Sequence, residues 1–246
     1  MMHEARALAW PKVRELAAGG AVALLPVGST EAHGPHLPLS VDVVIAEEVC
    51  RRVSARLPVD TVMFPAVTYS LTDFAAPFAG TVSLPADTAQ AMLVGVLRGI
   101  AHGGFARIAV VNHHLEPAHF QVVHAAAKAA AAAGPARVVV PDHRRKPTGP
   151  RLGEEFMHGG SHAGSYETSL MLAAAPALVD ERARAALPAN PVDLPALIKA
   201  GAKDFLACGG PDAYFGDPGA ATAAEGNRLF DLLVEATEAA IRESAT

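Results

Sequence analysis

Short apolar runs alternate along this chain with segments in which apolar residues recur every three or four positions. The runs cover residues 21–27, 61–67, 107–112 and 136–141. Each run is short and apolar on both faces, which is typical of strands buried in a parallel sheet. We therefore predict four buried strands at these positions.

The segments between the runs have the spacing of amphipathic helices. Apolar residues recur every four positions over residues 45–57, and a second stripe occupies residues 92–100. We interpret Asp87 and Gln90 as a capping pair for the second helix, with the glycines at 103–104 as its end. Further helices are predicted over about 117–133, from about 166, and around 229–236.

Strands and helices alternate in this pattern, with crossovers long enough for parallel strand pairing. The sequence therefore predicts an α/β fold, a three-layer α/β/α sandwich with a mostly parallel sheet. The length of 246 residues fits one domain over residues 1–246. Residues 188–219 are rich in Pro, Gly and Asp, which indicates an irregular excursion, either a lid over the site or a contact between subunits.

Composition and charge narrow the range of partners. A net charge of −5 argues against nucleic acid, because phosphate binding requires clustered Lys and Arg. We interpret the basic cluster at residues 143–146 as a solvated loop. Cys50 and Cys208 form no C-x-x-C pattern, which favours a reducing compartment. Since no apolar run resembles a signal peptide or a membrane span, we expect a cytoplasmic protein without a membrane partner.

Side chains with metal-binding chemistry follow the first predicted strand, in the segment GSTEAHGPHLPLSVD at residues 28–42. If the backbone is extended at Glu31 and His33, their i, i+2 spacing points both side chains to one side. Asp42 opens the next helix, where a carboxylate is favoured and can also project into the site. These three side chains are candidate metal ligands.

A second polar segment follows the strand at residues 107–112 and repeats this arrangement with His114 and Glu116. Either pair alone is more often a chance pattern of surface residues. Both pairs, however, lie at the carboxyl ends of predicted parallel strands, where ligands bind. Imidazole nitrogens with carboxylate oxygens and no thiolate suit Zn²⁺ or Mn²⁺. Five ligands exceed what one catalytic ion takes, so we predict two divalent metal ions per subunit with one shared carboxylate.

A third segment, at residues 159–172, is Gly-rich and then apolar, which places His162 in a loop and Glu167 in the first turn of a helix. One interpretation makes His162 a proton donor or substrate anchor, with Glu167 orienting it or serving as a ligand. The other makes Glu167 a helix-dipole carboxylate and His162 an ordinary loop histidine. Spacing alone leaves both interpretations open.

The remaining histidines are weaker candidates. His113 is next to His114 and would point to the opposite side of an extended chain. His119 lies on the Ala-rich helix and could reach the site mouth, and His36 could support the ligands from behind.

Three motifs in this order resemble the creatininase (creatinine amidohydrolase) family. The stretch PVGSTEAHGPHLPL at residues 26–39 resembles its signature. The pattern Asn112-x-His114-x-Glu116 resembles the second motif, and His162-Ala-Gly-x-x-Glu167 with the following TSLML resembles the third. The similarity spans about residues 20–180.

The resemblance implies an α/β/α fold, Zn²⁺ or Mn²⁺, hydrolysis of an amide C–N bond, and a homo-oligomer that is often a hexamer. It implies that one ion is held by Glu31, Asp42 and His114. It implies that the other is held by His33, Asp42 and Glu116, with Asp42 as the bridge. We expect Glu116, His162 and Glu167 to take part in catalysis.

The function predicted from these residues is hydrolysis of a small cyclic or formyl-type amide, with His162 delivering a proton or holding the tetrahedral intermediate. One alternative is the peptide-cleaving branch of the family, acting on a small modified peptide; another is a non-catalytic metal-binding scaffold. Creatininase has tryptophans near its pocket, one of them at the position of His158, whereas the sole tryptophan here is Trp10. We therefore do not predict creatinine as the substrate.

Overall fold

The computed structural model describes residues 1–159 and 161–244, so Gly160 of the Gly-rich third motif lies outside the described residues. The strands in this part of the chain are β1 (Met2–Glu4), β2 (Val22–Val27), β3 (Thr61–Met63), β4 (Arg107–Asn112) and β5 (Arg137–Val139). They form one sheet in the order β1-β3-β2-β4-β5, and every neighbouring pair is parallel.

The helices are α1 (Trp10–Ala18), α2 (Val41–Arg56), α3 (Ala86–His102), α4 (Pro117–Ala132), α5 (Glu154–His158), α6 (Ser165–Ala174), α7 (Glu181–Ala186), α8 (Leu194–Lys199) and α9 (Ala223–Glu243). Short 3-10 helices occupy Ala5–Ala7, Gly149–Leu152, Pro176–Leu178 and Pro218–Ala220. Within the described residues, none of these helices combines the length and apolar character that crossing a bilayer requires.

Alternate side chains of the central strand β2 enter two separate cores. Val22 and Leu24 pack into a cluster that includes side chains of α2, α6 and α9. Ala23 and Leu25 pack into a cluster that includes side chains of α1, α3 and α4. Because side chains of a strand alternate between its two faces, the sheet lies between two helical layers. This arrangement confirms the predicted three-layer α/β/α fold.

The chain start and one helix cap differ from the predictions. Strand β1 and helix α1 were not predicted. Strand β1 is only three residues long and lies at the sheet edge, paired with β3 alone, so its sequence signal is short. The predicted capping pair is wrong: α3 starts at Ala86 with Pro85 at its N-cap, and the Asp87 carboxylate accepts from the N–H of Thr88 at 2.7 Å. The predicted end of this helix is confirmed at Gly103.

The basic cluster at residues 143–146 is only partly a solvated loop. Arg145 and Lys146 are exposed, as predicted, but His143 is buried with 6% exposure. Its ring stacks on that of His113 with 5.7 Å between ring centroids. An imidazole in this position contributes to packing between the ends of β4 and β5.

The excursion at residues 188–219 is closed at its base and tied to neighbouring loops. Asn190 and Gly216 exchange two backbone hydrogen bonds of 2.7 and 2.8 Å. Farther along, the N–H of Phe205 donates to the carbonyl of Phe74 at 2.9 Å, and the N–H of Phe215 donates to the carbonyl of His162 at 2.9 Å. These bonds hold the excursion against the loop that follows β3 and the loop that precedes α6.

Helix α9 approaches α6 closely at Gly226, which is buried. A Cβ at this position would overlap the carbonyl oxygen of Ser169 and lie 2.8 Å from the Cβ of Ala173. Only a glycine therefore permits this contact between the two helices. Glu167 also lies on α6. The contact between the two helices therefore helps to fix the position of this carboxylate at the edge of the sheet.

We expect Gly226→Ala to destabilise the protein by about 2 kcal/mol, because the added methyl group has no room. The matched control is Gly95→Ala on α3, where nothing lies within 4 Å of the added Cβ. The control should stabilise the protein by about 0.5 kcal/mol through its helix propensity. Urea denaturation of both variants measures the difference, and equal free energies of unfolding would contradict the tight contact.

Candidate metal centre

The predicted metal ligands lie at the carboxyl edge of the sheet. Glu31 and His33 belong to the loop after β2, Asp42 to the first turn of α2, and His114 and Glu116 to the loop after β4. All five are buried, with exposures between 1% and 9%. The strand-end rule therefore predicts where these side chains meet.

One group of possible ligands consists of Glu31, Asp42 and His114, as predicted. The Nδ1 atom of His114 lies 3.2 Å from Glu31 Oε1 and 3.1 Å from Asp42 Oδ2. Its Nε2 is 3.0 Å from the carbonyl oxygen of Leu71, which can only accept, so Nε2 carries the proton. This hydrogen bond leaves Nδ1, the atom that faces both carboxylates, as the nitrogen that can bind a cation.

The second group consists of His33, Asp42 and Glu167. The Nδ1 atom of His33 is 3.2 Å from the carbonyl oxygen of Glu31, so it donates there and Nε2 is the nitrogen that a cation can reach. This buried Nε2 lies 3.5 Å from Asp42 Oδ1 and 3.4 Å from Glu167 Oε2. It makes no hydrogen bond with any of the described residues.

The donor atoms have spacings that suit metal ions. Atoms bonded to one tetrahedral ion at about 2.1 Å lie about 3.4 Å from one another. The separations from the two imidazole nitrogens to the carboxylate oxygens are 3.1 to 3.5 Å in both groups. Asp42 directs Oδ1 towards His33 and Oδ2 towards His114, as a bridging carboxylate must. The side chains present therefore fit two divalent cations.

The structure differs from the expected ligand sets at one position, because Glu167 accompanies His33 and Asp42 in place of Glu116. Glu116 precedes α4, and its carboxylate accepts from the backbone N–H groups of Asp73 and Phe74 at 3.3 and 3.2 Å. Burial raises the pKa of Glu116 to about 7. Held in this way, Glu116 lines the same cavity without joining either group of possible ligands.

Hydrogen bonds from neighbouring groups orient the carboxylates. Asp42 Oδ2 accepts from the hydroxyl of Ser29 at 2.6 Å, and Glu31 Oε2 accepts from the hydroxyl of Thr72. The N–H of Ala163 donates to Glu167 Oε2 at 2.7 Å. Sequence reasoning missed these donors; Thr72 lies within the long loop between β3 and α3, beyond the strand end itself.

The pKa values of the buried carboxylate and imidazole groups in the centre differ strongly from their usual values. Burial raises the pKa of Asp42, but attraction to His114 and His33 outweighs it and holds this pKa well below its usual range. Burial lowers the pKa of His33, but attraction to Glu167 and Asp42 raises it to about 10. The pKa of His114 is well above its usual range because Glu31 and Asp42 outweigh the effect of burial. Clustered carboxylates thus attract positive charge, and a cation can replace a proton on each ligand nitrogen.

His162 forms a third group of possible ligands with Glu31 and His33. Its ring lies between those of His33 and Phe205, at centroid distances of 4.3 and 4.2 Å. Its Nε2 is 2.9 Å from the carbonyl oxygen of Ala32 and therefore donates to it. A backbone carbonyl, and not Glu167, thus orients this imidazole. Its Nδ1 is left with a lone pair 3.8 Å from Glu31 Oε1.

The other histidines do not contribute ligand atoms to these groups. His119 is fully buried behind His114, so the expectation that it reaches the site mouth is wrong. Its Nε2 is 2.8 Å from Asn112 Oδ1, and the amide of Asn112 donates to the carbonyl of His114 at 2.8 Å. His36 is hydrogen bonded to Thr168 at 2.9 Å. These two histidines therefore support the loops and helices that carry the ligands.

A cavity of about 70 Å³ opens above the two groups. Its polar lining includes Glu31, Asp42, His114, Glu116, His162 and Glu167. Its apolar lining consists of Phe74, Leu115, Pro117, Leu194, Ile198 and Phe205. The excursion at residues 188–219 therefore forms part of the wall of the site. Neither Trp10, which is 69% exposed, nor His158, which pairs with Glu154 at 3.1 Å, lines the cavity.

Comparison with known proteins agrees with this geometry. The sequence matches the Creatininase family, described as creatinine amidohydrolase, over residues 6–241. It is 36% identical over 221 residues to the mycofactocin precursor peptide peptidase of Mycobacterium tuberculosis strain CDC 1551 / Oshkosh, covering 86% of this chain and 81% of that protein. It is 32% identical over 189 residues to the creatinine amidohydrolase of Pseudomonas putida, covering 70% and 72%.

The fold is also found among solved structures. A mutant creatininase complexed with creatine has a TM-score of 0.81 and 24% sequence identity, with 99% of both chains covered. The family match extends over nearly the whole chain and includes every residue of the two groups of possible ligands. The chain therefore belongs to the creatininase family of C–N hydrolases.

Proposed function

We propose that this protein is a metal-dependent amidohydrolase with two divalent cations, Zn²⁺ or Mn²⁺, at the carboxyl edge of its sheet. One cation would be held by Glu31, Asp42 and His114, and the other by His33, Asp42 and Glu167. The observation that carries this proposal is the carboxylate of Asp42, whose two oxygens face one imidazole nitrogen each of His33 and His114, at 3.5 and 3.1 Å. Imidazole and carboxylate donors without thiolate support the choice of Zn²⁺ or Mn²⁺.

When bound, a pair of divalent cations lowers the pKa of water and polarises an amide carbonyl. The protein's own groups must then orient the substrate and transfer protons. His162 presents Nδ1 towards the centre while its Nε2 is fixed on Ala32, so Nδ1 is the atom that can accept a proton from water in the cavity and pass it to the leaving nitrogen. Glu116, immobilised by two backbone N–H groups, can accept a hydrogen bond from water in the cavity.

The substrate class that the relatives favour is a small modified peptide. The mycobacterial peptide peptidase shares 36% identity over 86% of this chain, against 32% over 70% for the creatinine amidohydrolase. The cavity, moreover, contains no tryptophan, since Trp10 lies elsewhere. A small cyclic or formyl-type amide is the second candidate, supported by the likeness to the Pseudomonas enzyme.

Metal content tests the shared carboxylate directly. We expect the wild-type protein to bind about two cations per chain and Glu167→Gln to retain about one. Asp42→Asn should lose both, because this carboxylate belongs to both groups. Inductively coupled plasma mass spectrometry after dialysis against Mn²⁺ or Zn²⁺ measures the stoichiometry.

The control for this experiment is Asp212→Asn, which changes an exposed aspartate of the excursion and should leave the metal content unchanged. Chelation should abolish amide hydrolysis, and added Mn²⁺ or Zn²⁺ should restore it. Full metal content in Asp42→Asn would refute the assigned bridge.

A substitution of His162 distinguishes proton transfer from metal binding. We expect His162→Gln to lower kcat by about 100-fold or more, as loss of a general acid or base does, with metal content unchanged. The control is His158→Gln, four residues earlier, where the side chain is exposed and pairs only with Glu154 among the described residues. Loss of one cation in His162→Gln would show instead that this imidazole is a ligand.

Direct comparison of substrates separates the two candidate classes. We expect the Mn²⁺-loaded protein to hydrolyse short peptides blocked at both ends with a kcat/KM at least about tenfold above that for creatinine, hydantoin or formamides. Mass spectrometry of the products identifies the cleaved bond. Hydrolysis confined to the small cyclic and formyl compounds would favour the second candidate.

A further inference from the structure

The cavity beside the metal centre has an apolar wall formed by Leu194 and Ile198 of α8 and by Phe205. The ring of Phe205 is 4.2 Å from that of His162 and 5.8 Å from that of Phe74. A group bound against this apolar wall therefore lies next to the imidazole assigned to proton transfer. Because Phe205 contacts His162, the apolar wall lies close to the bond that the proposed reaction would cleave.

The apolar wall is preformed and fixed from several sides. Leu194 and Phe205 are only 7% and 6% exposed, and Phe205 also packs edge-on against Phe215 with 5.4 Å between centroids. Asp193 accepts from the N–H of Ala196 at 2.9 Å and so caps the short helix α8. A surface held in this way need not be ordered when a ligand binds, so its shape can select among ligands.

Charge restricts what this cavity can hold. Within the described residues, its charged lining includes Glu31, Asp42, Glu116 and Glu167, and no lysine or arginine lines it. A substrate carboxylate beside the apolar wall would find no guanidinium or ammonium partner, and its desolvation would be uncompensated. An uncharged aliphatic or aromatic group suits both the wall and the electrostatic environment.

We propose that the apolar wall is a specificity pocket, in which Leu194, Ile198 and Phe205 bind an uncharged apolar side chain adjacent to the scissile carbonyl. The inference rests on the proposed amidohydrolase function and adds the chemical class of the substrate. It assigns specificity to residues of the excursion, whereas the possible metal ligands lie outside it.

The test uses the full-length Mn²⁺-loaded protein and N-acetyl-Xaa-p-nitroanilides in which Xaa is Gly, Ala, Val, Leu, Asp or Lys. We expect kcat/KM for the Val and Leu compounds to exceed that for Ala by about tenfold or more. The Asp compound should be the poorest. The dissociation constants of the matching N-acetyl-Xaa-hydroxamates, measured by calorimetry, should follow the same order without any turnover.

Leu194→Ala should reduce the preference for Leu over Gly at least about fivefold, mainly by raising KM for the Leu compound. The matched control is Leu206→Ala in the same excursion, because Leu206 is 52% exposed and lies outside the cavity lining. Ile198→Ala, at a half-buried position, provides a second variant if Leu194→Ala fails to fold.

The outcomes separate the pocket from the underlying function. If the compounds are hydrolysed without dependence on the side chain, or if both wall variants keep the wild-type preference, the specificity pocket is refuted while the amidohydrolase function stands. If no compound is hydrolysed, peptide-type hydrolysis is refuted, and the order of the hydroxamate dissociation constants still decides whether the wall binds apolar groups.

Discussion

The carboxylate of Asp42 is the feature on which the rest of the centre depends, because it has to face two imidazoles at once. This requires the first turn of α2 to approach the residue that follows β2 more closely than a side chain at that position would permit. Gly28 meets that requirement, since a Cβ there would lie 2.6 Å from the Cβ of Asp42. Ser29 then holds Oδ2 with its hydroxyl group. Two consecutive residues, a glycine and a serine, thus fix the position and the orientation of this carboxylate.

Backbone carbonyls set the chemistry of the imidazoles in the same way. Glu31 binds the Nδ1–H of His33 through its main chain, and Leu71 binds the Nε2–H of His114. The opposite nitrogen is left available in each ring, so the two histidines contribute through different atoms. Because the acceptors belong to the backbone of loops at strand ends, the tautomers follow from the fold. A third carbonyl, that of Ala32, does the same for His162.

The central strands and most of the ligands could be predicted from the sequence because their signals are local. Apolar runs locate β2 and β4, and the residue pairs at their ends share one side by i, i+2 spacing. The position of Glu167, and not Glu116, beside His33 and Asp42 could not be predicted. It depends on how α6 packs on α9 at Gly226 and on the backbone N–H groups that hold Glu116. The apolar wall was equally inaccessible, because nothing in an irregular, Pro-rich segment indicates which of its side chains face a cavity.

The excursion and the possible ligands occupy separate stretches of chain, and the excursion is joined at its base by the paired backbone bonds of Asn190 and Gly216. The free energy of closing a loop rises only slowly with its length. A chain with the same carboxylates and imidazoles could therefore exchange this stretch for a longer or shorter one and acquire a new substrate range with little change in the free energy of loop closure. Relatives could then differ in substrate through the segment that Asn190 and Gly216 join at its base, while the residues of the metal centre stay the same.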